Sequence, residues 1–215
     1  MLVIAILGAM SAVDGDWTLY KLDDAAKSSG AVCLDGSSAA YYLRKPLNAS
    51  SKHGSSWIVF MEGGGWCMGD SNCYSRSLTD LGSSKAYPAQ IANAEGVGLY
   101  DSFPEATVVY AKYCDGSSFT GNVSQPVKVG GNTIYYRGRL ILDALFDELF
   151  SVRGLDKATE VLFAGCSAGA LTTYIHADYV TGLLSKHAPA AKTVALADAV
   201  SANNSANSVG FPRGG

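Results

Sequence analysis

The chain has 215 residues, of which 48 % are hydrophobic and 16 % charged, so general disorder is excluded. Its 16 Lys and Arg against 19 Asp and Glu leave a net charge of −3, without the basic excess that nucleic acid or an anionic membrane surface demands. Glycine is abundant, at 24 residues, but not periodic, which excludes a collagen-like structure.

In chain order, residues 1–10 (MLVIAILGAM) are continuously apolar. Ten residues are too few to span a bilayer. With Ala9, Ser11 and Ala12 behind them, residues 1–13 read as a short signal peptide, although a basic leading region is missing. A buried N-terminal strand and a misplaced start are the alternatives. Residues 14–47 are mixed, with a strand-like piece at 39–43, and 48–56 (NASSKHGSS) is a polar loop. Residues 57–61 (WIVFM) form an apolar run of strand length that ends at Glu62 and three glycines. A second strand is expected at 107–111 and a loop region over 116–131.

A helix is expected over 137–150. Leu142, Leu145, Phe146 and Leu149 recur at i, i+3, i+4 and i+7, and Gly154 stands where a C-terminal stop belongs. Residues 160–164 (EVLFA) read as a third strand, 171–184 as a helix and 193–197 (TVALA) as a fourth strand. Strands alternating with helices predict an α/β fold with a mostly parallel sheet and helices on both faces. Residues 201–215 have no core pattern: either a surface segment, or a chain that stops inside a larger domain.

The chemistry concentrates in two glycine clusters. Gly165-Cys166-Ser167-Ala168-Gly169 has the G-x-S-x-G form, between a strand and a helix. A serine there sits on a tight turn that needs very small residues two positions to either side. The amide of Ala168, at the head of the helix, can donate to an oxyanion. A glycine-rich turn of an ordinary α/β protein would share the pattern. Gly63-Gly64-Gly65-Trp66 follows the strand 57–61, where an oxyanion loop would supply the second donor. A dinucleotide loop fails there because position 68 is Met, and a phosphate loop fails because Asp70, not Lys, follows Gly69.

A serine hydrolase also needs a base and an orienting acid, in the order Ser, Asp or Glu, His. The three histidines are His53, His176 and His187. His53 precedes the serine. His176 and His187 ride the helix away from it and are read as surface or packing residues. Asp198, at the end of the last strand, is a weak candidate for the acid. The sequence therefore offers a nucleophile and an oxyanion hole without a base. The five cysteines (33, 67, 73, 114 and 166) contain no C-x-x-C pair, and their odd number leaves at least one thiol outside any internal bridge. Sequons at Asn48, Asn122 and Asn203 lean toward secretion.

Residues 61–67 (MEGGGWC), 113–121 (YCDGSSFTG), 136–138 (YRG), 165–169 (GCSAG) and 197–199 (ADA) together resemble the signature of the pectin acetylesterases, with the Notum carboxylesterases more distant. The resemblance runs from about Trp17 to Val200. It implies a secreted, extracellular α/β-hydrolase with a Ser–Asp–His triad and no metal or other cofactor. Ser167 would be the nucleophile, and the amides of Gly64, Gly65 and Ala168 the oxyanion hole. The implied substrate is an acetylated, pectin-like polysaccharide. Trp66 and Phe119 are candidates to line the pocket and stack on the sugar or acyl group, with a place in the core as the alternative for either. The resemblance also implies disulfides Cys67–Cys73 and Cys33–Cys114, leaving Cys166 a thiol. The family's serine motif usually ends in two glycines, where this chain has Ala170. Family domains are longer, with the catalytic Asp and His beyond position 215, so residues 14–215 are read as the N-terminal portion of one hydrolase-like domain. A truncated, inactive member or a carbohydrate-binding relic is the alternative, and the oligomeric state is left open.

Overall fold

The computed structural model describes residues 17–46, 55–94 and 97–198. The expected signal peptide, His53, the sequons at Asn48 and Asn203 and the tail lie outside these residues. Seven strands form one mixed sheet, in the order β4-β1-β2-β5-β3-β8-β9. They are β1 (Trp17–Lys21), β2 (Ala40–Arg44), β3 (Ser56–Met61), β4 (Gln90–Ile91), β5 (Thr107–Ala111), β8 (Glu160–Cys166) and β9 (Lys192–Asp198). Strands β5, β3, β8 and β9 run parallel, whereas β2 pairs antiparallel with both β5 and β1, and β1 antiparallel with β4. The fold is α/β, as the alternating elements imply, with an antiparallel extension built from the mixed N-terminal region.

Strands β3 and β5, in the middle of the sheet, are buried on both faces, which is why they read as apolar runs. From β3, Trp57, Val59 and Met61 point to one core, and Ile58 and Phe60 to the other. The larger core lies under helices α4 (Gly138–Glu148) and α5 (Ala168–His187), through Ile141, Leu142, Leu145, Phe146, Val180 and Leu184. The opposite face is covered more thinly, by Tyr100 of the five-residue helix α3 (Val97–Asp101) and by Ala94 and Ala106. Toward β9 that cover gives out: Val194 and Leu196 are exposed.

The expected helix at 137–150 is α-helical over Gly138–Glu148 and continues as a π turn, Leu149–Arg153. It stops at Gly154, which is left-handed (φ 92°). The expected loop over 116–131 needs a correction. It contains strand β6 (Val127–Val129), which pairs with β7 (Asn132–Ile134). The two-residue link Gly130-Gly131 has positive φ at both positions, the geometry that lets a two-residue turn follow strand twist. Helices α1 (Asp23–Ser28) and α2 (Asp70–Ser77) were also not anticipated. Both are short and polar, and their stability comes from tertiary contacts rather than from an amphipathic pattern.

Candidate active site

Strands β3 and β8 are parallel neighbours, with Met61 opposite Gly165. Their C-terminal ends therefore emerge side by side at one sheet edge. The glycine loop leaves β3 there, and the serine turn leaves β8. Ser167 is exposed and holds φ 55° and ψ −117°, a backbone conformation that non-glycine residues rarely adopt. The flanking glycines are needed because backbone meets backbone. A Cβ on Gly165 would stand 2.3 Å from the Gly169 carbonyl oxygen. One on Gly63 would stand 2.6 Å from the Cys166 oxygen and 3.2 Å from the Ser167 Cβ. That last approach brings the glycine loop against the serine. Ala170, where the family's motif has glycine, is fully buried at the start of α5.

Peptide planarity fixes where the amides point, because the C=O of one residue and the N–H of the next lie at opposite sides of a single plane. The Ser167 carbonyl accepts the Leu171 N–H (3.1 Å), so the Ala168 N–H is directed out of the helix N-terminus. Arg76 Nη1 donates to the Gly64 carbonyl (2.9 Å) and Nε to that of Leu81 (3.0 Å), which turns the Gly65 N–H away from Arg76. Gly64 and Gly65 have φ of 138° and 67°, accessible at little cost only to glycine. The Cys67–Cys73 disulfide closes the loop just beyond, and the Cys67 N–H bonds the Gly116 carbonyl (3.1 Å).

Glu62, at the root of the loop, is buried. It pairs with Lys112 and accepts from the Tyr110 hydroxyl (3.0 Å) and the Tyr113 N–H (2.7 Å). Asp115 is fully buried, and one of its oxygens accepts the Ser117 N–H (3.1 Å), the Ser117 hydroxyl (2.7 Å) and the Phe119 N–H (3.0 Å). Burial pushes its carboxyl above the usual aspartate range, against the pull of those donors. The sequence reading passed over Glu62, Arg76, Tyr113 and Asp115. Only Asp115 carries a local turn signal, Asp-Gly-Ser, four residues past the end of β5.

The sequence-derived candidates separate clearly. Gly64, Gly65, Ser167 and Ala168 reach the same sheet edge. Cys33–Cys114 and Cys67–Cys73 are bridged, and Cys166 stays a thiol. Trp66 is 52 % exposed, its indole N–H on the Ser118 hydroxyl (2.8 Å). Phe119 takes the core alternative rather than the pocket: it is fully buried, stacked on Tyr113 with ring centroids 5.8 Å apart. His176 lies nine residues along α5, a rise of roughly 13.5 Å. It is buried, and desolvation, then the Arg139 charge, hold its pKa below 6.5, against carbonyl contacts from Phe119 and Ser118. His187 is exposed and stacks on Phe150 at 4.9 Å. The Asp198 backbone pairs with Cys166, and its carbonyl accepts the Ser167 N–H (3.2 Å). Among the described residues there is no cluster of three metal-ligating side chains, and no helix is long and apolar enough to cross a membrane.

A strand–turn–helix serine beside a glycine loop is shared by many proteins, and comparison of the sequence shows the family. The pectinacetylesterase family model matches residues 12–200. The chain belongs to the pectinacetylesterase family. It is 40 % identical over 178 residues to pectin acetylesterase 5 of Arabidopsis thaliana, covering 80 % of this chain and 40 % of that protein. Pectin acetylesterase 4 of the same plant is 36 % identical over 180 residues, covering 80 % and 42 %. The zebrafish (Danio rerio) palmitoleoyl-protein carboxylesterase notum1a is 33 % identical over 181 residues, covering 80 % and 33 %. The chain thus spans about two fifths of the length of the pectin acetylesterases it matches.

Proposed function

We propose that this pectinacetylesterase-family chain carries the nucleophile half of a secreted serine esterase that removes acetyl groups from a pectin-like polysaccharide. The observation that supports this most directly is the strained, exposed Ser167 with the Gly63 backbone packed against it. The Ser167 oxygen attacks the ester carbonyl carbon and gives its proton to a base. The amides of Gly64, Gly65 and Ala168 hold the oxyanion that forms. Collapse of the tetrahedral species expels the sugar alcohol, which takes up a proton and leaves an acetyl-serine. Water then adds to that acyl group and releases acetate. Neither described histidine is assigned the base, since His176 is buried along α5 and His187 lies at its far end.

The displacement of both histidines also favours a second reading, a non-catalytic member that binds acetylated polysaccharide. Acetate release from acetylated pectin and from p-nitrophenyl acetate separates the two. Turnover by the chain that falls to background in Ser167→Ala supports the esterase, since losing a triad member costs on the order of 10⁴ to 10⁶ in kcat. Turnover unchanged in Ser167→Ala refutes the nucleophile. Binding to acetylated pectin with neither turnover nor acetylation of Ser167 by p-nitrophenyl acetate supports the second reading.

A further inference from the structure

Two buried hydroxyls stand between the glycine loop and the head of α5, and the proposed reaction uses neither directly. Tyr113 follows β5 and is fully buried; Ser118 is 1 % exposed. The Tyr113 hydroxyl donates to the Gly65 carbonyl (2.9 Å) and accepts the Ser118 N–H (3.0 Å). The Ser118 hydroxyl donates to the Ala168 carbonyl (2.9 Å) and accepts the Trp66 indole N–H (2.8 Å). Each hydroxyl spends its one proton on a carbonyl of one of the two loops. Together they form a continuous chain from Gly65 through Tyr113 and Ser118 to Ala168.

The surrounding loop is shaped to present them. Ser118 and Phe119 both have positive φ, 52° and 57°. Two adjacent side-chain-bearing residues in that region are strained and persist only where the surroundings impose them. Asp115 imposes them here, by gathering the Ser117 and Phe119 amides onto one buried oxygen. Its burial places it against α4, where a Cβ on Gly138 would fall 2.2 Å from the same oxygen. The strained turn is thus bolted to the protein interior, and the hydroxyl chain runs outward from it to both loops.

Gly65 is consequently held at both of its peptide planes. Arg76 fixes the plane before it through the Gly64 carbonyl, and Tyr113 fixes the plane after it through the Gly65 carbonyl. Ser118 ties the same unit to the first turn of α5. We propose that Tyr113 and Ser118 are positioning residues, a two-hydroxyl clamp that sets the distance and orientation between the glycine-loop amides and the Ala168 amide. The proposal rests on the reading of Ser167 as nucleophile. An oxyanion site gains its rate from donors already placed where charge develops, and a shift of about 1 Å is enough to lose on the order of 10²-fold. A clamp of this kind acts on the transition state and hardly at all on ground-state binding.

The test uses the full chain, its Tyr113→Phe and Ser118→Ala variants, and Ser167→Ala. The probe is phenylboronic acid. Its trigonal boron accepts the Ser167 oxygen as the hydroxyl proton leaves, giving a tetrahedral anionic adduct that ¹¹B NMR distinguishes from the free acid. Expected is an adduct with the parent chain, about tenfold weaker in each clamp variant, with kcat on p-nitrophenyl acetate falling by the same factor and KM within twofold. The double variant should lose less than the product of the two, because both act on one chain of bonds. Tyr113→Phe keeps the stacked ring, so it reports even where Ser118→Ala disturbs the turn. Boronate affinity and kcat within twofold of the parent in Tyr113→Phe, while Ser167→Ala loses the adduct, overturn the clamp alone. A rise in KM with kcat unchanged overturns it too. No adduct with the parent chain, or one that survives in Ser167→Ala, overturns the nucleophile reading and the clamp with it.

Discussion

Two glycines of the same helix should respond oppositely to the same substitution. In Gly169→Ala the added Cβ would fall 1.9 Å from the Met61 carbonyl oxygen, 2.7 Å from its carbon and 2.8 Å from the Glu62 oxygen. A carbon and a carbonyl oxygen normally approach no closer than about 3.3 Å, so roughly 1.4 Å must be found. The obstruction is backbone, and that backbone is paired on both sides, Met61 with Ala111 of β5 and with Gly165 of β8. No rotamer change relieves it. Overpacking against movable side chains costs about 1–3 kcal/mol, so about 3 kcal/mol or more is expected here. A Cβ on Gly182, thirteen residues further along α5, meets nothing within 4 Å. There the helix preference for Ala over Gly, about 0.8–1 kcal/mol, should appear undiminished as a gain. Urea unfolding followed by tryptophan fluorescence measures both against the parent chain. A Gly169→Ala loss under about 1 kcal/mol, or a Gly182→Ala variant less stable than the parent, refutes the reasoning.

Other perturbations probe the supports of the site. Glu62→Gln leaves Lys112 largely buried without its counter-charge and should cost about 3 kcal/mol in urea unfolding, most of it recovered on adding Lys112→Met. His176 has a folded pKa below its ordinary 6.5, so the unfolded chain binds its proton first. Stability should be level above that value and fall as pH drops through it, and His176→Gln should flatten the slope between pH 7 and 5. Alkylation of the unfolded chain without reductant should add at most one adduct by intact mass, because four of the five cysteines are bridged.

The parts of the molecule legible in the sequence are those where one local rule suffices. The strands at 57–61, 107–111 and 160–164 announce themselves because burial leaves four or five apolar residues in a row in each. The apolar face Leu142, Leu145, Phe146 and Leu149 is fully buried, as its spacing demands. The serine turn and the glycine loop show because steric necessity writes glycine at fixed positions. What stayed hidden depends on contacts across the sheet. Arg76, from a polar eight-residue helix, reaches a loop twelve residues back, and Glu62 meets Lys112 fifty residues on. Nothing in their neighbourhoods marks them. Pocket and core could not be told apart for Phe119 for the same reason: it stands in a glycine- and serine-rich stretch, and its burial comes from contacts with Tyr113 and Asp115. The hairpin at Gly130-Gly131 was readable, since paired glycines between alternating residues are a hairpin signal.

The two disulfides differ in reach, one joining residues six apart and the other residues 81 apart. During synthesis Cys33 leaves the ribosome ahead of the other four cysteines of these residues and before its partner. Cys67 and Cys73 follow almost together, and a short loop closes faster and at lower entropic cost than a long one. Their pairing withdraws two wrong partners from Cys33 before Cys114 emerges. Cys166 follows the four bridging cysteines. Vectorial growth therefore presents the thiols in an order that favours the native pairing. Residues 1–215 refolding from the reduced state have no such order, and their five thiols meet at once. Oxidative refolding in vitro should pass through scrambled isomers that a growing chain avoids.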